Sequence, residues 1–348
     1  MTGNQEHIPL FYEGQDDLVD ILATSMASVC YTTKSFIDFY ILDCGICDFN
    51  KRQLESLRNK FSNFSLQFIP IDLGRFKDLK GWPPPKYKYV DCYARLLIPE
   101  LKPEIDRAIY LDSDTILLDD IRLLWEQDLA GYETGLVADI GYDKFFYDNC
   151  VCKLGVSANH VYANAGVMLI DCRQWRKHNL TENLLQIARE NKENLLVLHE
   201  DMLSIYYNGN RYKRLDNRFN LTDRNCVIYN KDASAITDAY IENEWRQPVV
   251  YHFCHGKPFK LVINEYTGRP IRHFDNFWFF AQMTPFYAGM RLRFEDAKEA
   301  QKKQQKQNKT QKERYSLFGV LPLITVLTKK NIKRYKLFGF LPIMKKKG

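Results

Sequence analysis

The chain has 348 residues, and its 45% hydrophobic and 14% aromatic content is enough for a packed globular core. The net charge of +6 is unevenly distributed, because residues 301–348 contain fourteen of the 49 Lys and Arg residues but only Glu313 of the 43 acidic residues. Residues 1–300 are therefore net acidic, which argues against a nucleic-acid-binding surface spread over the fold.

The N-terminal part of the chain alternates between short apolar runs and amphipathic segments. We predict strands at 8–12, 36–43 and 66–72, separated by helices at 18–31 and 50–60. Alternation of this kind is typical of β-α-β units. The sequence therefore predicts an α/β fold with a mixed, mainly parallel sheet flanked by helices.

The middle of the chain continues the same alternation. A helix is expected over 89–101, stopped near Pro99, and it leads into a strand with the apolar sequence AIYL. Asp171 is placed to cap a helix that follows a later strand. The remaining elements are predicted in chain order as a short helix or turn at 119–125, strands at 135–140 and 162–171, helical structure at 181–208, and a last strand at 249–254.

The strand AIYL ends with two carboxylates, Asp112 and Asp114, which are separated by Ser113. Side chains two residues apart on an extended chain point to the same side, so the two acids are expected to lie side by side. Close carboxylates repel each other, and a hard divalent cation is the usual remedy. Such a cation at a strand end can hold a diphosphate, although acids that cap a surface turn produce the same pattern.

A second group of candidate site residues lies in the segment HFCHGKP at 252–258. A neutral imidazole from His252, at the end of a predicted strand, can supply a nitrogen ligand to the same cation. Gly256 allows a phosphate to approach the backbone closely, and Lys257 offers a positive charge to a leaving diphosphate. Together with the two aspartates, these residues predict a metal and phosphate site.

Ordered motifs along residues 8–280 resemble glycosyltransferase family 8. These retaining nucleotide-sugar transferases include bacterial lipopolysaccharide galactosyl- and glucosyltransferases and the glycogenins. The resemblance is carried by six segments: ILDCGI at 41–46, YARLLIPEL at 93–101, YLDSD at 110–114, YANAGVMLIDCRQWR at 162–176, HEDMLS at 199–204 and HFCHGKP at 252–258.

The resemblance implies a nucleotide-sugar-binding domain of the GT-A type, with Mn²⁺, or Mg²⁺ as the other candidate, bound to the diphosphate of a UDP-sugar. The implied metal ligands are Asp112, Asp114 and His252. The implied donor-binding residues are Gln15, Asp16, Asp17, Asp112, Ser113, Asp114, Asn164, Ala165, His199, Gly256 and Lys257. The implied catalytic residues are Arg95, Glu200, Asp201 and Lys257.

By this resemblance the chain is expected to be a metal-dependent retaining hexosyltransferase. It would move a hexose from UDP-galactose or UDP-glucose to a hydroxyl of a lipopolysaccharide or lipooligosaccharide core. Where the family has Asp-Gln-Asp, this chain has His199-Glu200-Asp201. Retention could proceed by double displacement through Glu200 or by front-face attack of the acceptor hydroxyl, and we favour the second. The alternatives are a non-catalytic membrane- or RNA-binding adaptor on this fold and a metal-dependent nucleotidyltransferase.

The composition changes near residue 294, so we predict a GT-A domain at 1–293 and a basic, aromatic C-terminal segment at 294–348. In that segment RYSLFGVLPLI at 314–324 recurs as RYKLFGFLPIM at 334–344. Basic residues interleaved with apolar ones suit an anionic membrane surface. A disordered tail and an RNA-binding segment are the other interpretations.

Cellular location is predicted from absent signals. The nine cysteines are scattered, the N-terminus has no signal-peptide pattern, and no apolar run reaches the roughly 20 residues that span a bilayer. We therefore expect a cytoplasmic protein that is peripherally bound to the inner face of the cell membrane.

Overall fold

The computed structural model describes residues 6–81, 90–139, 146–222, 247–254, 256–263, 270–307, 311–317, 321–329, 332–337 and 341–347. The chain divides into two compact units. The first unit comprises Met1–Pro258 and Val262–Met290, and the second comprises Phe259–Leu261 and Arg291–Gly348.

The first unit is built from short strands and helices that alternate along the chain. Its strands are β1 (His7–Gly14), β2 (Phe36–Asp43), β3 (Phe64–Pro70), β4 (Arg107–Leu111), β5 (Thr115–Leu117), β6 (Thr134–Ala138), β7 (Ala163–Asp171), β8 (Lys213–Leu215), β9 (Leu221–Thr222) and β10 (Val250–His252). Its helices are α1 (Val19–Thr32), α2 (Asp48–Glu55), α3 (Ile98–Leu101), α4 (Arg122–Trp125), α5 (Cys152–Leu154), α6 (Cys172–Lys177), α7 (Leu180–Glu190), α8 (Leu198–Tyr206) and α9 (Phe274–Ala281), and α10 (Tyr287–Gln307) continues into the second unit.

The main sheet has seven strands in the order β3-β2-β1-β4-β7-β6-β8. The strand pairs β1/β2, β2/β3, β1/β4 and β6/β8 are parallel, whereas β7 runs antiparallel to both of its neighbours, β4 and β6. The predicted mixed, mainly parallel sheet is therefore confirmed.

Both faces of the main sheet are buried. Along β1, Leu10 and Tyr12 pack into one apolar cluster, while Phe11 packs into the cluster on the opposite face. Alternate residues of a strand point to opposite faces, so a strand that is apolar at every position must be covered on both sides. The central strands are thus shielded from water, and polar chemistry is confined to their ends.

The structure corrects two predicted helices. Residues Asp91–Leu97 form a 3-10 helix, and Pro99 lies in the first turn of α3 instead of ending a helix. Proline is tolerated there because the N–H groups of a first turn have no partner within the helix. The single helical stretch expected at 181–208 is divided into α7 and α8. The predicted cap at Asp171 is confirmed, since its Oδ1 accepts a hydrogen bond from the backbone N–H of Gln174 at 3.0 Å.

A second sheet has three strands in the order β5-β10-β9. Its strand β5 follows β4 directly in the chain. β10 runs antiparallel to β5, so that His252 is paired with Thr115. The backbone N–H of Phe253 also donates to the carbonyl oxygen of Asp114 at 2.9 Å. This pairing brings the C-terminal end of β10 to the two aspartates that follow β4.

The second unit contains a four-stranded antiparallel sheet, which the sequence analysis did not predict. Its strands are β11 (Gln311–Leu317), β12 (Leu321–Lys329), β13 (Ile332–Leu337) and β14 (Leu341–Lys347), paired in chain order. The two sequence repeats form equivalent hairpins: Leu317 pairs with Leu321 and Leu337 pairs with Leu341, and each hairpin has a register shift after its tyrosine. In the part of the chain that the structure describes, no helix has the length and apolar character needed to cross a membrane.

Candidate active site

Asp112, Asp114 and His252 form a cluster in which one ligand atom from each residue lies within 4.8 Å of the others. His252 Nε2 is 3.2 Å from Asp114 Oδ1 and 3.7 Å from Asp112 Oδ2. The aspartates follow β4 and the imidazole ends β10, so the pairing of β10 with β5 closes the cluster. The three predicted metal ligands are brought together, although they are 140 positions apart in the sequence.

This donor set fits a divalent cation. Two carboxylates and one imidazole are ligands that Mn²⁺ accepts, and the carboxylates also suit Mg²⁺. The strand β7 leaves room for the cluster because it has Gly166 there. A Cβ atom at Gly166 would lie 2.7 Å from His252 Nδ1 and 2.8 Å from Asp112 Oδ2. Any side chain at this position would therefore displace the ligands.

A bulge in β7 lies at the centre of the site. Met168 pairs with Leu136 and Asn164 pairs with Val137, so residues 165–167 have no partner on β6. Such bulges release backbone groups from the ladder and redirect side chains. Here the released backbone groups of Ala165 form hydrogen bonds with two side chains. Its N–H donates to Glu200 Oε1 at 3.2 Å, and its carbonyl oxygen accepts from Arg95 Nη1 at 3.0 Å.

Gly166 continues this pattern. Its N–H donates to Asn164 Oδ1 at 2.9 Å, and its carbonyl oxygen accepts from the backbone N–H of Asp112 at 2.7 Å. The predicted donor-binding residues Asn164 and Ala165 are thus part of the bulge, directly beside the metal ligands. Their contact with a donor sugar stays a prediction.

Arg95 is almost fully buried and links the bulge to the carboxylates. Its Nη2 lies 3.0 Å from Asp112 Oδ1 and 3.8 Å from Glu13 Oε2, and its guanidinium stacks 4.3 Å from the centre of the Tyr110 ring. Burial alone would lower the pKa of Arg95, but Asp112, Tyr110 and Glu13 outweigh this effect and raise it. Arg95 is therefore a fixed cation, and it is held by contacts on several sides.

Glu200 is buried in the first turn of α8, where the carboxylate accepts the hydrogen bond from Ala165. Burial, followed by the charge of the nearby Asp139, raises the pKa of Glu200 well above its usual value. The raised pKa favours the neutral form of the carboxyl group, which is a poorer nucleophile than the carboxylate.

Asp201 has a different environment. Its Oδ2 accepts hydrogen bonds from the backbone N–H groups of Leu196 and Val197 at 2.7 and 2.9 Å, and its Oδ1 accepts one from Tyr162 Oη at 2.8 Å. These bonds fix the turn that precedes α8. Its oxygens hold the backbone that carries Glu200, and the catalytic role predicted for Asp201 stays a prediction.

Lys257 extends toward the cluster from the segment after β10, and its Nζ forms an ion pair with Asp114 Oδ2. Burial alone would raise the pKa of Asp114, but the charge of Lys257 and the neighbouring His252 imidazole outweigh burial and hold this pKa well below its usual range. Asp114 is therefore ionised near neutral pH. The buried Gly256 precedes the lysine, as predicted for close approach of a ligand to the backbone.

The acidic turn after β1 is more exposed than the rest of the site. Asp16 Oδ1 accepts hydrogen bonds from Cys47 N–H at 2.8 Å and Asn50 Nδ2 at 2.9 Å, and these bonds lower its pKa. Asp16 thus joins the end of β1 to the start of α2. Gln15 is half-buried and Asp17 is exposed. The predicted roles of these three residues in binding a nucleotide stay predictions.

Ser113 and His199 complete the predicted set. Ser113 Oγ donates to the carbonyl oxygen of Glu13 at 2.9 Å, which fixes the turn between the two aspartates to the end of β1. His199 lies in the first turn of α8, and its Nδ1 is buried with no hydrogen-bond partner among the described residues. Burial, assisted by the charge of Arg95, lowers the pKa of His199 well below its usual value, so the ring is neutral.

Several site residues were not predicted from the sequence. Glu13 faces Arg95, and burial raises its pKa to about 8. Its signal was an acid in the otherwise apolar strand IPLFYEG. Tyr110 Oη donates to Asp112 Oδ1 at 2.8 Å, and Asn220 Oδ1 lies 3.0 Å from His252 Nδ1. Asn220 lies between the predicted helical structure at 181–208 and the predicted strand at 249–254, where no sequence pattern distinguishes it from other asparagines.

Comparison with known proteins is consistent with this geometry. Residues 9–260 match the family described as Glycosyl transferase family 8. General stress protein A of Bacillus subtilis strain 168 is 32% identical over 243 residues, which is 68% of this chain and 79% of that protein. Glycosyltransferase GlyF of Streptococcus pneumoniae serotype 4 is 30% identical over 199 residues, and the match covers 57% of this chain but only 45% of GlyF.

The fold is also shared with solved structures. The galactosyltransferase LgtC, in complex with donor and acceptor sugar analogues, superposes with a TM-score of 0.66 at 22% identity, over 80% of this chain and 96% of LgtC. The fold is thus of the GT-A type, as predicted. The chain belongs to glycosyltransferase family 8.

Proposed function

We propose that this glycosyltransferase is a metal-dependent, retaining hexosyltransferase that uses UDP-galactose or UDP-glucose. The observation that carries the proposal is the convergence of Asp112, Asp114 and His252 within 4.8 Å at the ends of two strands, with Lys257 beside them. These three residues would hold Mn²⁺, with Mg²⁺ as the other candidate. When bound, the ion supplies Lewis-acid stabilisation of the negative charge that develops on a departing diphosphate.

The protein's own cations support the same reaction. Departure of UDP leaves negative charge on the β-phosphate, and Lys257 is close enough to the metal ligands to neutralise part of that charge. Arg95 is held in place by Asp112 and by the carbonyl oxygen of Ala165. It therefore supplies a fixed positive potential behind the ligands without having to reorganise during the reaction.

The state of Glu200 favours front-face attack over double displacement. A double displacement needs an ionised nucleophile on the face of the sugar opposite UDP. The raised pKa of Glu200 disfavours its ionised form, and its Oε1 already accepts a hydrogen bond from the bulge. We therefore infer that the acceptor hydroxyl attacks on the side from which UDP leaves, and that an oxygen of UDP removes its proton.

For the acceptor we propose a hydroxyl of a lipopolysaccharide or lipooligosaccharide core, which the enzyme meets at the cytoplasmic face of the membrane. Support comes from the second unit, where fourteen Lys and Arg residues lie in 301–348. Each basic residue near an anionic bilayer contributes about 1 kcal/mol to binding. A membrane-bound enzyme would remain close to a lipid-linked acceptor.

The proposed activity can be tested by incubating the full chain with MnCl₂ and a panel of UDP-sugars. Release of UDP is measured with and without saccharide acceptors. We expect release with UDP-galactose or UDP-glucose, and we expect Asp112→Asn to abolish it. Asp119→Asn serves as the matched control, since Asp119 is an exposed acid that follows β5 in the chain. Its activity should equal that of the wild type.

The same assay separates the alternatives. If no UDP is released from any UDP-sugar by protein that still binds Mn²⁺, the result would favour a non-catalytic adaptor. Release of pyrophosphate from a nucleoside triphosphate would favour a nucleotidyltransferase. Inversion at the anomeric carbon of the product, determined by NMR, would contradict the retaining mechanism.

A further inference from the structure

We propose that a buried amide pair, Asn164 and Asn220, fixes the tautomer of His252 so that its Nε2 lone pair faces the two aspartates. This inference rests on the metal site of the proposed function and adds residues that position one ligand. The three side chains form a chain of hydrogen bonds: Asn164 Oδ1 to Asn220 Nδ2 at 2.7 Å, and Asn220 Oδ1 to His252 Nδ1 at 3.0 Å.

The direction of each hydrogen bond follows from a single backbone group. The N–H of Gly166 can only donate, and it lies 2.9 Å from the Asn164 side chain, so the atom that it meets must be the oxygen. That oxygen also faces Asn220, which must therefore present its NH₂ group. The other end of the Asn220 amide is then its oxygen, which can only accept.

The consequence for His252 is a defined proton position. Because Asn220 Oδ1 accepts, His252 Nδ1 must carry the proton, and in the neutral ring Nε2 keeps its lone pair. This chain of hydrogen bonds from Asn164 through Asn220 to His252, here called the relay, is shielded from water. The relative exposure is 0% for Asn220, 3% for His252 and 9% for Asn164. Water is thus a poor replacement donor or acceptor here, and the Asn220 amide is the group that favours a proton on Nδ1.

The alternative tautomer would oppose metal binding. With the proton on Nε2, the ring would donate to Asp114 Oδ1, which is 3.2 Å away. That hydrogen bond would occupy both the imidazole ligand and one carboxylate oxygen. The relay makes this arrangement costly, because it would leave Nδ1 and Asn220 Oδ1 as two facing acceptors in a buried site.

The test uses the full-length protein and two substitutions of Asn220. Asn220→Leu removes both ends of the relay with little change in volume, whereas Asn220→Asp keeps an acceptor for His252 Nδ1. Asn63→Leu is the control for loss of a largely buried amide elsewhere, since Asn63 Nδ2 donates to the carbonyl oxygens of Cys30 and Thr33. The probe is MnCl₂, and free Mn²⁺ is measured by electron paramagnetic resonance.

We expect the Mn²⁺ dissociation constant to rise about 10- to 100-fold in Asn220→Leu, to rise less in Asn220→Asp, and to stay unchanged in Asn63→Leu. The ¹⁵N chemical shifts of His252, assigned with the variant His252→Gln, report the tautomer in metal-free protein. The wild type should show a protonated Nδ1, and Asn220→Leu should lose this preference.

A wild-type ring protonated at Nε2 would overturn the proposal, as would unchanged Mn²⁺ affinity in Asn220→Leu. The tautomer is read without metal and without substrate. A failure of the proposed activity, with no Mn²⁺ binding and no UDP release in the wild type, is therefore distinguishable from a failure of the relay.

Discussion

Gly166 gives the most direct test of the site geometry, because the cluster occupies the space that a side chain at this position would fill. In Gly166→Ala, the added methyl carbon would lie 2.7 Å from His252 Nδ1 and 2.8 Å from Asp112 Oδ2. Real Cβ atoms essentially never approach other heavy atoms to less than 3.0 Å. The imidazole must therefore move away from β7.

The size of the effect follows from these distances. The nearest ring atom, His252 Cε1, would lie 2.2 Å from the added methyl carbon, and ordinary contact begins at 3.4 Å, so the ring must shift by roughly 1.2 Å. A shift of this size strains the bond from His252 to Asn220, worth about 1 kcal/mol, and overpacking adds about 1–3 kcal/mol. We expect a loss of stability of about 2–4 kcal/mol and a Mn²⁺ affinity reduced by about 10- to 100-fold.

The assay combines urea unfolding with Mn²⁺ titration. Gly135→Ala is the matched control, since Gly135 lies on the adjacent strand β6 and its added Cβ would meet only leucine side chains, at 3.0–3.2 Å. It should change stability without changing Mn²⁺ affinity. In a background of His252→Ala, the part of the Gly166→Ala cost that comes from the imidazole should disappear, and the part that comes from Asp112 Oδ2 should remain. Wild-type Mn²⁺ affinity in Gly166→Ala, or an undiminished cost without the imidazole, would refute the reasoning.

Three further predictions concern charge. Between pH 4.5 and about 8 the folded chain keeps the Glu13 proton that the unfolded chain releases, so stability falls as pH rises, by at most about 1.4 kcal/mol per unit. Urea unfolding in EDTA should show a shallower fall for Glu13→Gln, and an equal slope would contradict this. Glu200→Gln should retain kcat within about tenfold, whereas a loss of several orders of magnitude would support double displacement. Replacing Lys345, Lys346 and Lys347 with Gln should weaken binding to anionic vesicles by about 3 kcal/mol. Binding is measured by sedimentation with the vesicles, and an unchanged bound fraction would contradict membrane binding through the C-terminal segment.

Much of the fold was predictable because local patterns agree with the final structure. The run FIDFYILD was predicted as a strand at 36–43, and β2 has the same bounds. Strands of this kind are apolar at nearly every position and are bounded by helices, so composition alone defines them. The helix expected over 89–101 was less accurately predicted, because a 3-10 helix and an α-helix share the same apolar spacing over one or two turns.

The second unit shows what a repeat does and does not reveal. The recurrence of RYSLFG as RYKLFG was evident from the sequence, and both copies form hairpins with the same register. Their pairing into one antiparallel sheet was not predicted, because clustered Lys residues are also typical of disordered segments.

The sequence by itself determined the α/β class and predicted which three residues would form the cluster, since strand-end carboxylates and a strand-end imidazole leave a local signature. Tertiary structure alone decided how they meet. The bulge of β7, the Gly166 gap and the Asn220 contact depend on pairings between segments far apart in the chain, which no local pattern encodes. The same holds for the raised pKa of Glu200, because burial by residues far apart in the chain, and not the residue type, shifts the pKa of a carboxyl group.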